Sequence, residues 1–215
     1  MIHVVLIDDH ELVRTGFRMI LGQQPDIEIV GEASDGEQGL AMLRRLTPEV
    51  ALVDVHMPGI SGLEVTERAR KLKLPTRIVI VSMASESPLP KRLLEAGASG
   101  YITKACAAAE LLRAVRQVAD GRRYLTPAIA EMMALATLGG APRSPFETLS
   151  TRELEVALLL ARGLPLQTIA ERLSLSPKTV ATYKYRLFEK LEIDNSVTLA
   201  HLAQVHGLMD AGAIH

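Results

Sequence analysis

Short apolar runs alternate with segments of helical periodicity over the first 121 residues, and this alternation restricts the fold more than any other feature. Strands that are apolar on both faces and alternate with helices form a parallel sheet covered by helices on each side. The sequence therefore predicts an α/β domain with a doubly wound (βα)5 parallel sheet over residues 1–121. The predicted strands are His3–Ile7, Ile27–Ala33, Val50–Val53, Arg77–Val81 and Gly100–Thr103.

The composition changes after residue 121, and only helical patterns follow residue 148. Residues 122–147 are predicted to be a partly helical linker, because the GGAPRSP segment at 139–145 has too many Gly and Pro residues for a packed element. Residues 148–215 are predicted to form an all-α domain of four helices. Within it, a short helix, a brief turn and a second helix that begins at Ser176-Pro177 are typical of a helix-turn-helix.

Composition limits what the chain can bind. Its formal net charge is −1, so a nucleic-acid surface has to be local. Aromatic residues make up 3% and Trp is absent, which disfavours a single-strand stacking surface. The single cysteine, Cys106, cannot form an internal disulfide, and no run approaches the roughly 18 apolar residues of a membrane span. The N-terminus lacks a basic signal-peptide region. We therefore expect a cytoplasmic protein with no membrane partner.

Carboxylates follow two of the predicted strands. Asp8 and Asp9 follow the first, and Asp54 follows the third. The carboxyl ends of parallel strands open on one edge of the sheet, so these three side chains should converge in one crevice. Three like charges at close range are costly unless a cation neutralises them, and Mg²⁺ prefers a few carboxylates with water and phosphate oxygens. The pattern predicts a Mg²⁺ site. We interpret His10 as a polar residue at a helix start.

Two further strand ends add groups suited to phosphoryl transfer. Ser82 supplies a hydroxyl and Lys104 an ammonium group. Carboxylates, a metal ion, a hydroxyl and an ammonium can together stabilise negative charge on a transferred phosphoryl group. A carboxylate can itself accept the group, and Asp54 is the best candidate because a Gly- and Pro-rich turn follows it.

The second helix of the predicted helix-turn-helix carries a local excess of positive charge. Val180, Leu187 and Leu191 should face the core by helical spacing. Short or hydroxylic side chains elsewhere on the helix can approach base edges, and its cations can neutralise phosphates. The candidate DNA-binding residues are Lys178, Thr179, Ala181, Thr182, Tyr183, Lys184, Tyr185, Arg186 and Lys190.

The first domain resembles the receiver domain of two-component response regulators in its DDH at 8–10, DVHMPGISG at 54–62, Ser82 and GYITK at 100–104. The resemblance implies that a histidine kinase phosphorylates Asp54 in the presence of Mg²⁺. Asp9, Asp54 and the backbone carbonyl of His56 would bind the metal directly, and Asp8 largely through water. Ser82 and Lys104 would hold the phosphoryl oxygens. Tyr101 matches the aromatic switch position of that family.

The second domain resembles the LuxR/FixJ-type output domain in LSTRELEVALLLARG, IAERLSLSPKTV and LFEKL. Together the two halves are similar to NarL/FixJ-class response regulators, and most of all to the GacA/UvrY/SirA group. The resemblance implies double-stranded DNA as a partner and a homodimer that forms on phosphorylation through the last helix, near 197–206. The implied dimerisation residues are Val197, His201, Gln204 and Val205.

The sequence thus favours a transcription regulator controlled by phosphorylation of Asp54, and two alternatives remain open. One is an aspartyl-phosphate phosphotransfer enzyme, which would need a substrate pocket, a further acid or base and usually a cap domain; the chain has no insertion long enough for a cap. The other is a receiver that controls a protein partner through the helical domain.

Overall fold

A computed structural model describes residues 1–55, 57, 59–82, 89–138, 144–173, 175–206 and 208. The chain forms two compact units, one that contains the sheet and one that contains the C-terminal helices. Among the described residues, no helix combines the length and the apolar character needed to cross a bilayer.

All strands of the first unit are parallel, and their order in the sheet is β2-β1-β3-β4-β5-β6. The predicted doubly wound sheet is confirmed, with a sixth strand added at one edge. The strands are β1 (Ile2–Ile7), β2 (Ile27–Ala33), β3 (Val50–Asp54), β4 (Arg77–Ser82), β5 (Gly100–Thr103) and β6 (Tyr124–Leu125).

Helices cover both faces of this sheet. They are α1 (Glu11–Gly22), α2 (Gly36–Leu46), α3 (Gly62–Lys71), α4 (Leu89–Ala96) and α5 (Ala108–Ala119), and a further helix, α6 (Pro127–Leu138), follows β6. On one face, Leu6 and Leu52 share a buried core with Phe17 of α1 and Val115 of α5. Side chains alternate along a strand, so Ile7 faces the opposite side, where it lies against Gly39 of α2. The central strands are apolar on both faces because both faces are buried.

The sixth strand is too short for periodicity to reveal. Gly121 adopts φ +82°, in the left-handed region, and reverses the chain just beyond α5. The backbone N–H of Tyr124 then donates to Ser99 O at 3.1 Å, and that of Thr126 donates to Tyr101 O at 3.3 Å. The start of the segment predicted as a linker is therefore paired with β5.

The second unit contains a 3₁₀ helix (Pro145–Thr148) followed by α7 (Thr151–Ala161), α8 (Leu166–Arg172), α9 (Pro177–Leu191) and α10 (Ser196–Val205). Ser150 and Glu153 form a capping box at α7. The predicted start of the second helix at Ser176-Pro177 is also present, with Ser176 Oγ accepting from Thr179 N at α9. The predicted inward positions of α9, Val180, Leu187 and Leu191, are buried. Phe146 is also buried, with its ring 6.1 Å from that of His206.

Candidate functional site

Three carboxylates meet at the carboxyl edge of the sheet, as the strand pattern predicts. Asp8 and Asp9 follow β1, Asp54 ends β3, and the two strands are neighbours with Ile7 paired to Val53. One ligand atom from each of these aspartates, and one from His10, all lie within 4.8 Å of one another. Asp8 and Asp54 are buried, whereas Asp9 is exposed.

Lys104 bridges the two buried carboxylates. Its Nζ lies 2.8 Å from Asp8 Oδ2 and 2.9 Å from Asp54 Oδ2, and its side chain is 5% exposed. The backbone N–H of Lys104 donates to Ser82 O at 2.8 Å, which anchors the residue next to the end of β4. Burial lowers the pKa of Lys104, but hydrogen bonds and charge interactions with Asp8 and Asp54 outweigh burial, and the pKa is raised above its usual value. The lysine therefore stays cationic at neutral pH.

The imidazole of His10 lies within the carboxylate cluster. Its Nδ1 is 2.8 Å from Asp9 Oδ1, 3.1 Å from Asp8 Oδ1 and 3.9 Å from Asp54 Oδ2. His10 occupies the N-cap of α1, in agreement with its interpretation as a polar residue at a helix start, but its side chain makes no capping hydrogen bond. The ring instead faces the acids. Nothing in the local sequence pattern indicates this orientation.

The cluster can hold a divalent cation. Asp8 Oδ2 is buried, and the cation 2.8 Å from it, Lys104 Nζ, is shared with Asp54. Carboxylate oxygens from Asp8, Asp9 and Asp54 are the hard ligands that Mg²⁺ prefers. The donor set therefore fits a Mg²⁺ ion. The predicted contribution of the His56 carbonyl lies outside the described residues.

Ser82 and Tyr101 lie beside the cluster in the interior of the protein. Ser82 ends β4 and is fully buried, as is Tyr101 in β5. The desolvation of its buried hydroxyl raises the pKa of Tyr101 to about 12, although a hydrogen bond with Ser82 opposes the shift. The serine and the tyrosine predicted to respond to phosphorylation are therefore in contact with each other.

The loop after β3 returns close to the acid that ends the strand. The N–H of Gly62 donates to Val55 O at 3.0 Å, and a Cβ at Gly62 would collide with the carbonyl of Asp54. Gly59 adopts φ +75°, a left-handed conformation that favours glycine. The predicted turn is thus built on two glycines with separate roles, one for backbone conformation and one for close approach.

The predicted DNA-binding helix is α9, and most of its candidate residues lie away from the core. Lys178, Ala181, Thr182, Tyr185 and Arg186 are exposed. The remaining candidates on this part of the helix, Thr179, Tyr183 and Lys184, are half-buried. Tyr185 is 72% exposed. The helix therefore presents cations, hydroxyls and an aromatic ring on its outer face.

Among the described residues, Lys190 is the α9 candidate that forms an ion pair with another helix of the same unit. Its Nζ lies 2.6 Å from Glu153 Oε2 on α7.

The candidate dimerisation residues on α10 face outward: Val197 and Val205 are 79% and 65% exposed, and His201 and Gln204 are exposed as well. Leu199 and Ala203 of the same helix are buried.

Comparison with known proteins assigns both units. Residues 4–116 match the response regulator receiver domain family, and residues 147–203 match the luxR family of bacterial regulatory proteins. The chain belongs to the LuxR-type response regulators. Its similarity to the GacA/UvrY group, expected from the sequence, is confirmed over nearly the whole chain, and the response regulator carries a DNA-binding domain of the LuxR type.

Two relatives illustrate this similarity. Response regulator GacA of Pseudomonas viridiflava is 46% identical over 214 residues, which cover 99% of this response regulator and 100% of the relative. Response regulator UvrY of Escherichia coli is 44% identical over 212 residues, with 98% and 97% covered. The function expected from the sequence, a transcription regulator of a two-component system, agrees with this family.

A solved structure is similar over both units. RcsB from Salmonella enterica serovar Typhimurium, bound to promoter P1flhDC in the presence of the phosphomimetic BeF3⁻, is 25% identical with a TM-score of 0.70, and the match covers 95% of this response regulator and 98% of that chain. The two family matches leave residues 117–146 of the response regulator uncovered, and this interval contains β6 and α6.

Proposed function

We propose that a sensor histidine kinase phosphorylates Asp54, with Mg²⁺ as cofactor, and that this modification controls dimerisation and sequence-specific transcription. In this proposal residues 1–121 are the receiver, 122–147 a partly helical linker, and 148–215 the DNA-binding domain. The observation that carries the proposal is the position of Lys104, which lies between the buried carboxylates Asp8 and Asp54.

The chemical step is an in-line transfer to a carboxylate. An oxygen of Asp54 forms a bond to the phosphorus of a phosphohistidine on the kinase, the P–N bond breaks, and the electron pair returns to the imidazole. Lys104 Nζ, already 2.9 Å from Asp54 Oδ2, stays close to the new phosphoryl oxygens. Asp8, Asp9, Asp54 and the backbone carbonyl of His56 would hold the Mg²⁺ ion. When bound, Mg²⁺ neutralises charge on the transferred group.

Phosphorylation would alter the contacts around Ser82. The phosphoryl group adds charge and acceptor oxygens within reach of Lys104 and Ser82. Ser82 then turns its hydroxyl toward the new oxygens, and Tyr101, which hydrogen-bonds to Ser82, changes its side-chain position. The surface formed by β4, α4 and β5 would repack as a result. This repacking either frees the DNA-binding domain or promotes dimerisation.

The DNA-binding step uses α9 and α10. The exposed face of α9 is proposed to enter the major groove, with Lys178, Lys184 and Arg186 at phosphates and Thr179, Ala181, Thr182, Tyr183 and Tyr185 near bases. Val197, His201, Gln204 and Val205 are proposed to pair two copies through α10, where their exposure permits contact. A dimer would place two α9 helices on half-sites about 34–36 Å apart.

The receiver is proposed to assist its own phosphorylation and dephosphorylation without turning over a separate substrate. Incubation with a small-molecule phosphodonor and Mg²⁺ should add one phosphoryl group per chain, measured by intact mass, and Asp54→Asn should add none. Asp35→Asn is the matched control because Asp35 is the half-buried N-cap of α2 and does not belong to the carboxylate cluster. Sustained hydrolysis of phosphomonoesters would instead favour the enzyme alternative.

Transcription control is tested in cells, where we propose a cytoplasmic location. Genome-wide mapping of bound DNA, wild type against Asp54→Ala, should give discrete sites that lose occupancy in the variant. Equal occupancy in both strains would show that phosphorylation is dispensable. Affinity for mapped fragments no better than for random DNA would favour the protein-partner alternative.

A further inference from the structure

One ion pair in the DNA-binding domain has no role in the proposed DNA contacts. Lys190, in the last turn of α9, places its Nζ 2.6 Å from Oε2 of Glu153, in the first turn of α7. The two helices pack against each other in the domain. The Glu153 side chain is 5% exposed and that of Lys190 is 42% exposed. The pair therefore joins the helix predicted to bind DNA to its neighbour at a nearly buried carboxylate.

Glu153 is fixed in place by contacts within its own helix. Its Oε2 accepts a hydrogen bond from Ser150 N at 2.7 Å, and its own N–H donates to Ser150 Oγ at 3.3 Å. This capping box depends on residues at the start of α7 alone. The carboxylate is thus held in position whether or not Lys190 contacts it. Through Lys190, α9 therefore contacts a group whose position is already fixed.

The carboxylate depends on Lys190 for neutralisation. Burial raises the pKa of Glu153, but hydrogen bonds from Lys190 and Ser150 outweigh burial, so the pKa is lowered and the group is ionised. An ionised carboxylate that loses its cation in a buried position is strongly destabilised. If Lys190 moved to a DNA phosphate, Glu153 would be left as a buried, ionised carboxylate without a cation.

Lys190 also lies far from the part of α9 that would approach bases. It is twelve residues beyond Lys178, which corresponds to about 18 Å along a helix axis. In helix-turn-helix proteins the N-terminal residues of the second helix contact base edges. Lys178, Thr182 and Tyr185 form an exposed stripe at helical spacing, whereas Lys190 points toward α7.

We propose that Glu153 and Lys190 are positioning residues that set the orientation of α9, and that Lys190 does not neutralise a DNA phosphate. The proposal rests on DNA binding by this domain. It revises the sequence-based expectation for Lys190 while it leaves Lys178, Lys184 and Arg186 as phosphate candidates. By positive charge alone, all four cations are equally good candidates for a phosphate contact. In the structure, Lys190 is distinguished by its ion pair with Glu153 on α7.

Salt dependence of binding separates a positioning residue from a phosphate contact. We would measure the affinity of the full-length chain for a 30-base-pair duplex from the strongest mapped genomic fragment, as a function of salt. Lys178→Met should reduce the slope of log K against log salt by about one. Lys190→Met should leave the slope unchanged and weaken binding about tenfold at fixed salt, because the support of the recognition helix is loosened.

Glu153→Gln gives the sharpest contrast, because the two roles predict opposite signs. If Glu153 positions α9, the variant weakens binding as much as Lys190→Met does, and the double variant is no weaker than either one. If Glu153 merely withholds Lys190 from DNA, the variant strengthens binding. Lys190→Arg should restore near-wild-type affinity. Unchanged affinity in both single variants, or a reduced slope in Lys190→Met, would overturn the proposal.

A second measurement uses the wild-type chain, in case the variants do not fold. Limited acetylation read by mass spectrometry should modify Lys190 several-fold more slowly than Lys178 in the free protein. Addition of the duplex should protect Lys178 and leave Lys190 unchanged. Equal reactivity in the free protein, followed by parallel protection, would refute the positioning role. If the wild type binds no duplex at all, DNA binding itself fails, and the free-protein comparison still tests the ion pair.

Discussion

The receiver and the DNA-binding domain each contain a lysine paired with buried carboxylate, and the two arrangements differ in charge balance. Lys104 is shared by Asp8 and Asp54, with Asp9 beside them, so acids outnumber the lysine at this edge. Among the described residues, Lys190 pairs with no acid other than Glu153, and the same carboxylate oxygen also accepts from Ser150 N. A cluster with more carboxylates than lysines can bind a further cation, whereas a one-to-one ion pair is already neutral and holds two helices together. We therefore expect the lysine–carboxylate contact to rearrange in the receiver and to stay fixed in the DNA-binding domain.

The largest expected effect is at Lys104. Lys104→Met removes the cation between two buried carboxylates and should reduce the free energy of unfolding by about 3 kcal/mol in metal-free buffer. Added Mg²⁺ should recover more stability in the variant than it adds to the wild type, because the ion replaces the lost charge. Thermal unfolding with and without Mg²⁺ provides the measurement. Lys71→Met, on the exposed surface of α3, is the control and should change stability by less than about 0.5 kcal/mol.

A smaller effect is expected at Lys190. Lys190→Met should reduce stability by about 1–2 kcal/mol, less than at Lys104 because this lysine is partly solvated. Mg²⁺ should recover none of this loss. If Mg²⁺ stabilises both variants equally, the contrast between a site built to accept a cation and a pair already neutralised is wrong.

Lowering the pH should remove the contribution of the Glu153–Lys190 ion pair to the free energy of unfolding. Its pKa is lowered in the folded protein, so the ion pair adds stability above the unfolded pKa, and this stability is lost as pH falls through the lower, folded pKa. The stability difference between wild type and Glu153→Gln should therefore be largest near neutral pH and shrink toward zero in acid. Chemical denaturation at several pH values tests this, and a difference that persists below the folded pKa would count against it.

The smallest predicted effect compares two tyrosines. Tyr101→Phe removes a buried hydroxyl that hydrogen-bonds to Ser82 and should cost about 1 kcal/mol. Tyr185→Phe, on the exposed face of α9, should cost less than about 0.5 kcal/mol while it alters DNA affinity. Denaturant midpoints measure both. Equal losses would mean that the Ser82–Tyr101 contact adds nothing to receiver stability.

Strand-end chemistry could be predicted from the sequence because topology dictates it. Once the strands are taken as parallel, Asp8 and Asp54 have to share an edge, and the register of β1 with β3 brings them together. The caps at Ser150 and Ser176 follow from local rules in the same way. These features depend on periodicity and on near neighbours along the chain.

Features that depend on side-chain direction or on single backbone contacts could not be predicted. The ring of His10 turns toward the acids rather than away from them, and the helix pattern leaves both directions open. The Glu153–Lys190 contact joins residues 37 positions apart, and no motif indicates it. The strand at Tyr124–Leu125 is too short to produce an alternating pattern.

The short strand β6 affects how the receiver can be isolated. A fragment that ends at Gly121 would lack β6, and the carbonyls of Ser99 and Tyr101 in and beside β5 would lose their N–H donors. An unpaired strand edge of this kind tends to pair with the strands of other chains. A cut placed beyond Thr126 would keep β6 paired with β5, so we expect an isolated receiver fragment to need residues beyond Gly121.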